Sequence, residues 1–157
     1  MTGGIKPEFL AAVKALGKVQ GHVGWLESAE YPDGRKVADN ARTHEYGAPA
    51  QGIPPRPFMR TAIADHQNNW IDATAKAVKE VLAGKTDAVT AMGKVAMIVE
   101  GDVKQAIVNV TSPALNPATI KARARKLASG EVTETLNKPL VESALMLKSL
   151  TSEASKK

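Results

Sequence analysis

Apolar side chains recur at intervals of three and four residues over much of this chain, the pattern of helices with one buried stripe. Phe9, Leu10, Val13 and Leu16 follow it in residues 7–18, with Gly17 as the stop. From Phe58 to Leu82 the stripe is Ile63, Trp70, Ile71, Ala77, Val78, Val81 and Leu82; Thr74 fills one place and Gly84 ends the helix. Thr86 then offers an N-cap for a second long helix lined by Val89, Met92, Ala96, Val99, Val103 and Ile107. The short link between the two predicts an antiparallel hairpin. Shorter helices are expected over residues 36–46, closed by Gly47, and from the Asn116 N-cap, with Pro117 at the first helical position, to Gly130.

The period changes to two at residues 19–25, where Val19, Gly21, Val23 and Trp25 alternate with Gln20, His22 and Gly24. A strand with one packed face is expected, its glycines marking a bulge or a close approach. "YPDGR", residues 31–35, reads as a turn. Near the C-terminus "KPLVESALMLKSLTSEAS" suits either state: its alanines and leucines allow helix, while Leu145, Leu147 and Ser149 alternate as in a strand. A strand at residues 19–28 needs a partner, which favours the second reading. The class is therefore α+β, two long helices packed on a small antiparallel sheet, in a single domain over residues 1–157. Between these elements lies "EYGAPAQGIPPRPFMR", residues 45–60. Pro49, Pro54, Pro55 and Pro57 each restrict the backbone and remove a donor, so it must be a stiff loop running into the longest helix.

Composition narrows the chemistry. Aromatic residues are only 4% of the chain, so the core must be built from Ala, Val, Leu, Ile and Met. The absence of cysteine excludes disulfides, thiolate metal sites and cysteine nucleophiles. The charged N-terminal stretch lacks the apolar run of a signal peptide, and no segment has the apolar length of a membrane span, so a soluble protein with no membrane partner is expected. Of the net charge of +5, residues 111–157 hold 8 basic and 4 acidic side chains, densest at Lys121, Arg123, Arg125 and Lys126. Such a cluster is most often a solvated helix face, with contact to DNA as the functional alternative.

Catalytic motifs are weak. "AGKT", residues 83–86, ends like a phosphate-binding loop, but Lys79 stands where the motif needs its first glycine and no strand precedes it. His22, His44 and His66 lack metal-binding spacing, and no serine sits in a nucleophile elbow. Trp25 and Trp70 lie on apolar faces and read as core. An enzyme is the least supported class, and no cofactor or metal is expected.

The proline loop carries a resemblance. "HEYGAPAQGIPPRPFMRTA" is similar to the characteristic segment of tailed-bacteriophage tail-completion or head-tail neck proteins, an acidic-aromatic-glycine triplet followed by I-P-x-R-P-F and a long helix. Glu45, Tyr46 and Gly47 match the triplet; Ile53, Pro54, Arg56, Pro57 and Phe58 match the second part. "SPALNPATIKAR", residues 112–123, resembles that family's P-x-L-x-P-x-T-I-x-x-R element, and "NKPLVESALMLKSL", residues 137–150, its K-P-L-I-D-T-G-x-L-x-x-S-I ending. The chain departs from the pattern at Glu142, Ser143 and Ala144, where the family has Asp, Thr and Gly, and Ala144 accepts a left-handed backbone less readily than glycine.

The resemblance implies a virion protein, assembled in the host cytoplasm, that forms a homo-oligomeric ring, a hexamer, between head and tail and acts without catalysis. Its partners would be copies of itself, the head-side connector or portal adaptor, and tail tube or terminator proteins. A tail terminator ring subunit and a DNA-contacting accessory protein are the alternatives. The loop then has two readings. Prolines reduce the entropy lost on ordering, so Glu45, Tyr46, Gly47, Ile53, Pro54, Pro55, Arg56, Pro57, Phe58 and Arg60 would form a contact arm for a neighbouring subunit, with Arg56 as polar anchor and Phe58 as apolar one. Alternatively Phe58 starts the core helix and Arg56 caps carbonyls within one copy.

Overall fold

Each helix expected from the apolar spacing forms in the computed structural model, which describes residues 5–130, 136–141 and 144–157. In chain order the elements are α1 (Pro7–Leu16), β1 (Val19–Trp25), α2 (Val37–Tyr46), a 3-10 turn (Pro49–Gln51), α3 (Met59–Leu82), α4 (Ala88–Asn109), α5 (Pro117–Ala128), α6 (Leu145–Lys148) and β2 (Leu150–Lys156). The two long helices α3 and α4 pack on a two-stranded antiparallel sheet of β1 and β2, so the fold is mixed α and β. Among the described residues no helix is long and apolar enough to cross a membrane.

Two local expectations are corrected. The strand that pairs with β1 lies at residues 150–156, after the segment that alternates around Leu145 and Leu147. That segment instead closes one helical turn, in which Lys148 N–H donates to the Ala144 carbonyl at 2.8 Å and Ser149 N–H to Leu145 at 2.9 Å. β2 reads LTSEASK, with little intrinsic strand preference, so pairing and packing decide its state. The N-cap of α4 is Asp87, not Thr86: the Thr90 N–H donates to its carboxylate at 3.0 Å. Hydrogen bonds from Thr90 hold the Asp87 carboxyl below its usual pKa.

Contacts within the chain gather into two compact units interleaved in sequence, with α3 and α4 each contributing to both. The first comprises Met1–Val23, His66–Gly101 and Thr151–Lys157. Its core is Val19, Ala77, Val81, Ala88, Ala91 and Val95, with Ala12 and Leu16 of α1 leaning against it. Small residues set its spacing. A Cβ on Gly21 would stand 3.2 Å from Met92 Cγ and 3.5 Å from Ala96 Cβ, so β1 lies close on α4, as one reading of that glycine expected. Gly24 has open space. The stripe on α3 is narrower than expected, because Ile63 and Ile71 are exposed while Ala62, Ala77 and Val81 are buried.

The second unit comprises Gly24–Asp65 and Asp102–Leu150. It holds the largest fully buried side chains, Phe58, Ile107, Leu150, Val37 and Val103. Much of its chain is irregular: the proline loop, the connection from α4 to α5, and residues 136–141. Backbone groups in such segments have no ladder to satisfy them and must find other partners.

Candidate functional site

α3 begins without a local capping residue, since Pro57 and Phe58 precede it and neither side chain can accept a hydrogen bond. Glu45, at the end of α2, supplies the cap from a distance in sequence. Its carboxylate accepts the N–H groups of Phe58 at 2.8 Å, Met59 at 2.9 Å and Arg60 at 3.1 Å. The Arg60 guanidinium donates to the same carboxylate at 2.8 Å and to the Glu45 carbonyl at 2.6 Å, and it lies over the Tyr46 ring. Glu45 is 4% exposed. Burial raises its pKa, but the Arg60 bond and the three backbone donors outweigh that and hold the carboxyl below its usual value. An anion seated on a helix N-terminus is also favoured by the helix dipole.

The turn that brings Glu45 to this position needs glycine. Gly47 has φ of 77°, and a Cβ there would meet Pro55 N at 2.8 Å and the Ile53 carbonyl at 3.0 Å. The loop folds back through the Ala48 and Ile53 bridge, and the Arg56 N–H donates to the His44 carbonyl at 2.7 Å. Arg56 then points inward at 5% exposure, its guanidinium donating to the carbonyls of Pro113 at 2.8 Å and Ala114 at 3.0 Å. Burial, then the nearby Arg123 charge, lowers its pKa. Phe58 is 1% exposed and meets Trp25 edge to face at 5.9 Å, while the Trp25 indole donates to the Met146 carbonyl at 2.8 Å. Within one copy the second reading of the loop is therefore realised for Arg56 and Phe58: one ties main-chain carbonyls and the other opens the core helix.

Arg123 repeats the device. It is 4% exposed and donates to the carbonyls of Lys138 at 2.8 Å and Pro139 at 3.2 Å. It belongs to the interior, so the solvent face of α5 carries only Lys121, Arg125 and Lys126 of the four basic residues considered for DNA. His44 shares this neighbourhood. Its Nδ1 is buried with no hydrogen-bond partner, and burial, followed by the Arg56 and Arg123 charges, pushes its pKa below the ordinary 6.5. The neutral form of the ring is therefore favoured.

Of the other predicted interface residues, Tyr46, Pro55 and Arg60 are exposed and Ile53, Pro54 and Pro57 are half-buried. Ala144 has φ of 53° and ψ of 6°, the left-handed region, at the position where the resembling family carries glycine. Glu142 and Ser143 lie outside the described residues. The remote cap was missed because it joins residues thirteen to fifteen apart; the signal was the longest helix starting with no capping residue of its own. The buried Nδ1 and the inward turn of Arg123 left no mark in the sequence. Compared with known proteins, the chain matches no family model, no curated protein and no solved structure.

Proposed function

We propose that this chain is a structural protein of a tailed-phage virion, forming a homo-oligomeric ring at the head-tail junction that joins tail to head. The observation that carries the reading is the mutual support of the three resembling segments. Arg56 of the first segment holds the second through Pro113 and Ala114, and Arg123 of the second holds the third through Lys138 and Pro139. A resemblance made of three unrelated matches would not require its arginines to bind one another's main chain. The left-handed backbone at Ala144 adds support, because glycine at that place in the family has a physical reason here. The polar groups of the site are turned on the protein's own backbone, which suits a scaffold.

Mass measurement and electron microscopy of the purified protein, alone and with phage tail tubes, test the reading. A ring, or a cap seated on tube ends, is expected; tubes left bare at saturating protein would count against it. A second reading, contact with passing DNA, is favoured by the exposure of Lys121, Arg125 and Lys126 on one helix. A gel shift that weakens with salt supports it, and no shift at low salt rejects it.

A further inference from the structure

In the first unit an apolar ridge and an apolar groove lie open on different elements. α1 has no buried residue, and Phe9, Leu10 and Val13 are 41%, 45% and 46% exposed, with Ile5 before them at 66%. Positions 9, 10 and 13 share one helix face. α3 and α4 leave between them a groove of about 210 Å³ floored by Ala77, Ala91 and Val95 and closed at one end by Ile98, which is 48% exposed. Lys76 and Lys94 stand at its edges, with Glu80 one turn further along α3.

We propose that the α1 ridge of one copy seats in the α3–α4 groove of a second copy of this chain. Charge order favours this occupant. With Phe9 and Val13 on the alanine floor and α1 parallel to α3, Glu8 and Lys14 flank the ridge on opposite sides, Glu8 facing Lys94 of α4 and Lys14 facing Glu80 of α3. Glu8 and Lys14 lie about 9 Å apart along α1, a stagger that the long side chains of Lys94 and Glu80 on the two walls can span. The same copy cannot fill its own groove this way. Ala12 and Leu16 are already packed on the core, and only Gly17 and Lys18 separate α1 from β1. Each seated pair leaves one ridge and one groove free, so the contact is head-to-tail and propagates into a ring or a filament. For closure into a ring it rests on the proposed function.

The chain has no cysteine, so single substitutions report the contact cleanly. Ile5→Cys and Ile98→Cys variants, mixed under mild oxidation, should give a cross-linked dimer at least about tenfold above either variant alone, because the seating that places Glu8 at Lys94 sets Ile5 beside Ile98. Leu10→Glu in the Ile5→Cys chain should reduce that yield at least about tenfold. Glu80→Lys in the Ile98→Cys chain should weaken it, and Lys14→Glu in its partner should restore it. All these positions except Glu80, which is half-buried, lie on the exposed surface, and circular dichroism verifies folding. Equal yields in mixed and unmixed samples, or a yield indifferent to Leu10→Glu, overturn the proposal. If the cross-link fails while the protein still caps tail tubes, the α1 contact is wrong and the junction role stands. A cross-link without capping leaves the contact standing and removes the junction role.

Discussion

The two units solve the same problem with different side chains. In the first, regular elements satisfy their own backbone, and alanine, valine and glycine let β1 and the helices approach closely. In the second, long irregular segments are held by Glu45, Arg56 and Arg123, each directed at main chain far away in sequence. Simple apolar residues are interchangeable within volume limits, whereas a carboxylate on three N–H groups or a guanidinium on two carbonyls has no substitute. Residue identity is therefore constrained most where the chain is least regular.

The contrast can be broken at its strongest point. Glu45→Ala removes the remote cap and leaves three N–H groups and the Arg60 Nε–H without their carboxylate acceptor; a loss of about 4 kcal/mol in denaturant unfolding is expected. An effect under about 1 kcal/mol, ordinary for a surface residue, would erase the distinction between the units. Gly47→Ala forces a Cβ against Pro55 and Ile53 in a left-handed backbone and should cost about 3 kcal/mol by the same assay.

Acid sharpens the comparison further. The folded protein resists protonating His44, so below pH 6.5 the unfolded chain binds more protons and stability falls; His44→Gln should flatten that part of the profile. Glu45 acts at lower pH. Its folded pKa lies below the ordinary 4.5, so its contribution is complete above 4.5 and is lost as pH falls through the folded value. That second decline should persist in His44→Gln and shrink in Glu45→Ala, where the Asp87 cap still loses its contribution in acid. The smallest effect is expected at Ala144→Gly, where relief of the left-handed backbone is offset by the loss of a buried methyl, leaving a gain of under about 1 kcal/mol in thermal unfolding.

Helix positions were legible because spacing and stop residues are local: Gly47 and Asn116 did their work within a few residues. The C-terminal strand was misplaced because Leu145 and Leu147 alternate convincingly, while the true strand, Leu150–Lys156, is polar and owes its state to β1. At the candidate site, the resemblance brought Glu45, Arg56 and Phe58 forward without saying where they point. Direction depends on tertiary partners, and a sequence carries no sign of whether an arginine between prolines meets solvent or the carbonyls of Pro113 and Ala114.

The central claim, that the loop's buried residues brace a single copy and leave assembly to exposed surfaces, is tested most directly with Arg56→Ala. Its unfolding should be measured at a concentration where the protein is monomeric. A loss of about 3 kcal/mol in the monomer is expected from the two abandoned carbonyls and the lost packing. A monomer as stable as the parent, combined with failure to assemble, would contradict the claim and return Arg56 to the subunit interface.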